Sequence, residues 1–282
     1  MANSPLDKII INKLFSTLKG KNFHRRGLQH NISEIKMNFL DHSVRFNPHD
    51  SIGARIYSYG THTRKPIDDA INVLIKRKVL KNKSTCIEFG SNIGTHTIYM
   101  HLHKCFKKIY AIEPESNNNR LLLQNLKDNN LINKTKVLKL AISNVPGNVK
   151  LFKDDNNSGA HTLLNKDSGQ EYELVEALTP QQLLQQYQIN DLGFAFFDIE
   201  GMETKVIPEF IKTIKTNLPI FFEFTPYLYN KKDTSSFISF LDKNYNNFIF
   251  YQESKVKFTR NEFKSINDLL NINFEQCDIL AY

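Results

Sequence analysis

From Lys83 onward the chain alternates short apolar runs with segments of helical period, and this alternation constrains the fold more than any other feature. Strand, helix and strand in succession make the βαβ unit, and repeated units build a mostly parallel sheet with helices on both faces. Thr85–Phe89 reads as the first strand and Gly94–Cys105 as the helix after it. Lys108–Ile112, Ser116–Asn129 and Lys136–Ile142 continue as strand, helix and strand. Val149–Lys153 is a short extra strand, and Asp154-Asp155-Asn156-Asn157-Ser158-Gly159 has the composition of a turn-forming loop. Thr179 is the expected N-cap of a helix over Pro180–Tyr187, with proline at the first helical position. Phe194–Phe197 is a buried-type strand that runs into Asp198-Ile199-Glu200-Gly201. A helix over Met202–Lys215, a strand at Pro219–Phe222 ending at Glu223, a helix at Ser235–Leu241 and strands at Phe248–Tyr251 and Asp278–Ala281 follow. The expectation is a Rossmann-like α/β fold with a mostly parallel, seven-stranded sheet that ends in a hairpin-like pair.

Upstream, Leu6, Ile9, Ile10, Leu14, Phe15 and Leu18 recur at helical spacing, and Ile67, Ala70, Ile71, Leu74 and Ile75 do so again after Pro66. Between them, Tyr57-Ser58-Tyr59-Gly60 with His62, Arg64 and Lys65 form a polar, aromatic connector without an assigned structure. The division expected is a basic helical extension over 1–65 and the α/β domain over 66–282. The net charge of +8 is uneven, because residues 1–36 hold seven basic residues against Asp7 and Glu34. A basic amphipathic helix packs on its own domain or on a second copy, lies on an anionic membrane, or touches nucleic acid. Packing or a homodimer comes first, a peripheral membrane contact through residues 6–26 second, and nucleic acid last. No stretch reaches the roughly 20 apolar residues of a bilayer span, and the N-terminus lacks a signal peptide's pattern, so the expected location is cytoplasmic. Cys86, Cys105 and Cys277 have no C-x-x-C spacing and read as reduced, packed thiols.

In open parallel sheets, ligands bind beyond the carboxyl ends of the strands. The first such end reads Glu88-Phe89-Gly90-Ser91-Asn92-Ile93-Gly94, where the glycines permit a tight turn and a close backbone approach to a ligand. Glu113 lies 23 positions past Gly90, close to the roughly 20-residue gap at which an acid meets a ribose diol. A dinucleotide site asks for G-x-G-x-x-G so that a second glycine can meet the pyrophosphate, and here that position is Asn92. A nucleoside without phosphates fits better, and S-adenosylmethionine is one.

With Glu113-Pro114 after the second strand and Asp198-Ile199-Glu200-Gly201 after the fourth, the sequence resembles the FkbM-type methyltransferase family over residues 83–225. That family carries an acid-x-Gly-x-Asn-x-Gly turn, an acid-Pro pair and an Asp-x-Glu-Gly at these three places. Glu88 departs mildly from the commoner Asp, and residues 1–65 lie outside the resemblance. The resemblance implies a class I methyltransferase fold and O-methylation of a sugar or other small hydroxyl compound. Glu88, Gly90, Asn92 and Gly94 would surround the methionine part of the cofactor and Glu113 its ribose. Ile112, Pro114, Ala141 and Ile142 would lie near adenine.

Methyl transfer from a sulfonium needs positioning and removal of the acceptor's proton. Asp198 is the first candidate base, with Glu200 and Glu223 beside it and His96 and His161 as lesser candidates. Glu200 could instead cap the next helix. The three carboxylates would also suit Mg²⁺, although the metal-free reading is preferred and no metal ligand is assigned. Alternatives are a methyltransferase acting on RNA or protein, and a non-catalytic nucleoside-binding module. The Asn/Asp-Pro-Pro-Tyr/Phe signature of nucleobase amino-methylation is absent after the fourth strand. Loop residues Ser158–His161 and the connector 57–65 are expected to shape the acceptor pocket.

Overall fold

The computed structural model describes residues 32–164, 169–253, 258–271 and 275–282. The amphipathic helix expected over 6–18, and the membrane contact expected over 6–26, lie outside these residues. The chain opens with β1 (Ile35–Asn38), β2 (Ser43–Phe46), α1 (Ser51–Tyr59) and α2 (Arg64–Lys76). It continues through β3 (Ser84–Phe89), α3 (Thr95–Leu102), β4 (Phe106–Ile112), α4 (Ser116–Asp128), β5 (Thr135–Leu138), β6 (Ala141–Ile142), β7 (Gly147–Phe152) and β8 (Tyr172–Leu178). The last part comprises α5 (Pro180–Gln186), β9 (Leu192–Phe197), α6 (Glu203–Ile214), β10 (Ile220–Phe224), α7 (Lys231–Asn244), β11 (Phe248–Glu253), β12 (Phe258–Phe263) and β13 (Cys277–Ala281).

The main sheet has the order β12-β11-β13-β10-β9-β3-β4-β5. From β5 to β10 neighbouring strands run parallel, and β13, β11 and β12 add antiparallel pairings at the other edge. The α/β architecture is the one expected, with eight strands instead of seven. The added strand, β12, is a polar edge strand (Phe-Thr-Arg-Asn-Glu-Phe) whose residues are at most partly buried. Nothing in its pattern resembles the apolar runs of the interior, so the sequence alone did not reveal it.

The run expected as one strand, Lys136–Ile142, is divided. β5 pairs with β4, but β6 leaves the main sheet and pairs with β8 beside β7. Lys139 is the exposed residue between the two, and the bend turns Leu140, Ala141 and Ile142 toward the carboxyl ends of the strands.

Both faces of the sheet are covered, which explains why its central strands are apolar without alternation. Ile87, Phe89, Phe197 and Phe222 meet Leu183, Val206, Phe210 and Phe237 from α5, α6 and α7. Cys86, Phe194, Phe196 and Phe221 meet Ile71, Leu74, Tyr99 and Met100 from α2 and α3. On that second face α4 buries Leu122 and Leu126 against Ala111. The three cysteines are free and buried. Among the described residues no helix is long and apolar enough to cross a membrane.

The segment before α2 joins this body through α4. Asn125, fully buried, accepts the Arg45 N–H at 2.6 Å and donates to the carbonyls of Arg45 at 3.0 Å and Ile93 at 2.8 Å. One turn later Asn129 accepts from Ser43 N at 2.8 Å and donates to Ser43 O at 2.7 Å. Two side-chain amides thus replace the neighbouring strand that β2 would otherwise need on this edge. Val44, Phe46, Ile52 and Ile56 then pack on Ile93, Ile98 and Leu121. Asn125→Ala leaves three main-chain groups without partners and is expected to lower stability by about 2–4 kcal/mol, read as a shift in the urea midpoint followed by circular dichroism.

Candidate active site

Strand order reverses direction at β3, where the chain runs outward through β4 and β5 and later returns to place β9 on the other side of β3. Such a switch point opens a crevice above the carboxyl ends of the strands. A cleft lies there, walled by the ends of β3, β4, β6 and β9 and by the loop from 158 to 163.

The turn after β3 forms its floor. Gly90 has φ of +82°, and a Cβ there would stand 1.7 Å from the Asp198 carbonyl oxygen, so the strand ends can approach this closely only without a side chain. The N–H groups of Gly90 and Ser91 both donate to Ile112 O, at 3.0 and 2.9 Å. Gly94 begins α3 with φ of +87°, with Leu122 packed where a Cβ would be.

Glu113 links this turn to the next. It is buried and accepts Asn92 N–H at 2.8 Å on one carboxylate oxygen and Glu115 N–H at 2.9 Å on the other. Burial pushes its pKa up to about 8, a little offset by these donors. It lines the cleft with Gly90 and Asn92, while Ile112, Pro114, Leu140, Ala141 and Ile142 form an apolar wall. Among the described residues no Lys or Arg lines the cleft. A buried acid beside an apolar wall, with no Lys or Arg among the described lining residues, suits a nucleoside that carries positive charge, and S-adenosylmethionine is one.

At the other end of the cleft, Asp198 and Glu200 line the wall, and oxygens of Asp198, Glu200 and Glu223 lie within 4.8 Å of one another. The three acids that the sequence could only name are therefore brought together. Burial, then the facing Glu223 and Glu200 carboxylates, hold the Asp198 carboxyl well above its ordinary value. Glu223 is pushed up to about 7 by burial and by Glu203. Glu223 also accepts hydrogen bonds from Thr225 Oγ1 at 3.2 Å and from Gln276.

The family model of the methyltransferase FkbM domain matches residues 88–273. The chain belongs to this family. It is an S-adenosylmethionine-dependent methyltransferase. In solved structures, the FkbM chain is similar to an rRNA methylase from Streptococcus thermophilus, at 13% identity over 77% of this chain and 93% of that one, with a TM-score of 0.43. It is similar to the precorrin-6y C5,15-methyltransferase from Geobacter metallireducens at 11% identity over 78% and 86%, with a TM-score of 0.41. It is similar also to M. jannaschii TYW2 in complex with AdoMet, at 13% identity over 90% and 87%, with a TM-score of 0.43. No curated protein matches the chain.

Within the FkbM site some expected residues stand apart from the cleft. Glu88, fully buried, faces Thr97, from which it accepts a hydrogen bond, and its other oxygen has no partner among the described residues. His96 is buried under the sheet's second face, stacked on His62 with ring centroids 5.9 Å apart and bonded to Thr63 Oγ1 at 2.5 Å. Burial lowers its pKa to about 4. His161 does line the cleft, and its Nδ1 accepts Asp154 N–H at 3.0 Å.

One organising residue was missed from the sequence. Glu203, at the start of α6, is buried and accepts Ile199 N–H at 2.8 Å, Gly201 N–H at 3.0 Å and the Tyr229 hydroxyl at 2.9 Å. It fixes the Asp198–Glu200 loop, where Glu200 has φ of +47°. The signal was present as an acid in the first turn of a helix, where N–H groups are unsatisfied.

Because burial raises Glu88 from 4.5 to about 7, the folded chain holds this proton more tightly than the unfolded chain does. Its contribution to stability is complete below 4.5 and is lost as pH rises through about 7. Glu88→Gln, which cannot ionise, is expected to flatten that loss, and melting temperatures of both proteins on either side of the window measure it.

Proposed function

We propose that this FkbM methyltransferase O-methylates a carbohydrate or another small hydroxyl compound, with Asp198 as the base. The observation that carries the proposal is the position of Asp198 at the end of β9, where it borders the cofactor cleft and meets Glu200 and Glu223. Glu113 would hold the ribose, the wall from Ile112 and Pro114 to Leu140, Ala141 and Ile142 the adenine, and the turn at Gly90 and Asn92 the methionine part. Bound there, S-adenosylmethionine supplies a methyl group on a sulfonium that is already a good leaving group.

What remains for the protein is orientation and one proton. An acceptor hydroxyl set against Asp198 gives its proton to the carboxylate as the oxygen becomes nucleophilic. Glu203 keeps the loop that carries Asp198 and Glu200 in one conformation through two main-chain bonds, and Tyr229 orients Glu203 in turn. Burial, with Glu223 and Glu200 close by, makes Asp198 hold its proton at low pH, so the rate is expected to rise with pH as that carboxyl ionises.

Calorimetry separates donor from base. Glu113→Ala is expected to weaken S-adenosylmethionine binding by about 1.5–3 kcal/mol. Asp198→Asn is expected to keep donor binding but to lower kcat by about 10²–10⁴-fold, with sugars as the first acceptors screened. Activity is expected to survive EDTA. Methyl transfer to RNA or protein and to no small hydroxyl compound would overturn the acceptor class, and loss of activity with EDTA would replace the free base with a metal-bound acceptor.

A further inference from the structure

The roof of the cofactor cleft is held in an unusual way. Ser158 and Gly159 line the cleft, in the loop between β7 and β8. Both main-chain groups of Ser158 are taken by side chains from three other parts of the chain. Its carbonyl accepts Asn92 Nδ2 at 2.8 Å, from the glycine turn, and Asn118 Nδ2 at 2.9 Å, from α4. Its N–H donates to Asp50 Oδ1 at 2.5 Å, from the residue just before α1.

Asp50 has a second task, since its Oδ2 caps α1 by accepting Ile52 N–H at 2.9 Å and Gly53 N–H at 3.3 Å. The neighbouring Ser51 extends the contact, with both N–H and Oγ 3.0 Å from Asn156 O. A Cβ on Gly159 would stand 2.8 Å from Ile52 Cδ1, so the loop lies directly on α1. The amide of Asn92 is committed to this roof, with Oδ1 on Ile93 N–H at 2.7 Å and Nδ2 on Ser158.

We propose that Asp50 is a positioning residue of the cofactor site, holding Ser158 down as the roof over the nucleoside, so that residues 43–60 are part of the binding machinery. The proposal rests on the reading that the cleft binds S-adenosylmethionine. Asp50 touches no part of the cofactor on this account and acts through the Ser158 main chain. Asn92 has the same role from below, which explains an asparagine where a dinucleotide site would carry glycine.

Asp50→Ser separates the two tasks, because serine caps a helix well but is too short to reach Ser158. S-adenosylhomocysteine is the probe, titrated by calorimetry into the full chain. Asp50→Ser is expected to raise its Kd about tenfold, the loss of one charged hydrogen bond. In turnover the KM for S-adenosylmethionine is expected to rise while kcat at saturation stays put. Amide exchange at Ser158 and Gly159 is expected to quicken, while the amides of α1 keep their protection. Asp50→Asn keeps a single carbonyl oxygen for both tasks and is expected to fall between Asp50→Ser and wild type in affinity. Unchanged S-adenosylhomocysteine affinity in Asp50→Ser would overturn the positioning role with the donor site intact. No binding by the wild type would overturn the donor reading itself, and this inference with it.

Discussion

The carboxylate of Glu113 is the interaction on which the other parts of the site depend. A buried acid with one oxygen on Asn92 N–H and the other on Glu115 N–H ties the turn after β3 to the turn after β4. Without it those two main-chain donors would lose their acceptor, leaving the bonds from Gly90 and Ser91 N–H to Ile112 O to join the two turns. Desolvation raises its pKa toward the protonated form, and main-chain donors favour the charged one. On the proposed reading a ribose diol would bring two more donors to the same oxygens, so the group that organises the turn would also hold the nucleoside.

From that tie the arrangement spreads outward. Glu115 caps α4 by accepting Asn118 N–H, and Lys153 stands 3.1 Å from its other oxygen. The helix so fixed presents Asn118 toward the roof and Asn125 and Asn129 toward β2. At the far side of the cleft Glu203 does for the β9 loop what Glu113 does for the β3 turn, as a buried acid that gathers main-chain N–H groups. Both acids solve the same problem, which is to hold a non-regular segment in one conformation where water cannot satisfy it.

The order of strands and helices from Thr85 to Asp198 was legible because each element there has an apolar pattern of its own. The glycine turn was legible for the same local reason, since a positive φ beside another strand end leaves glycine the only choice at 90. The convergence of Asp198, Glu200 and Glu223 was not, because it depends on β10 lying next to β9 and on side chains from three positions turning to one place. The departure of β6 from the main sheet was hidden too, since Val137, Leu138, Leu140, Ala141 and Ile142 read as one continuous strand and only the partner β8 distinguishes them. The connector at 57–65 stayed unassigned because its role is set by what it packs on: α1 ends at Tyr59 with Gly60 as its cap, and Arg64 begins α2 and bridges to Asp41 and Asp68.

The pairing of Asn125 and Asn129 with β2 works because two lattices happen to be commensurate. Four helical residues rise about 6 Å, and two strand residues advance about 6.8 Å, so amides one turn apart meet every second residue of an extended chain. A grip of this kind recognises spacing and is blind to side chains. Those amides would serve β2 slid along by two residues as well, so the choice of frame falls to side chains: Val44 and Phe46, both fully buried, and Arg45, whose Nε donates to Asp128 at 2.6 Å. The asparagines set the period, and the side chains of β2 choose the phase.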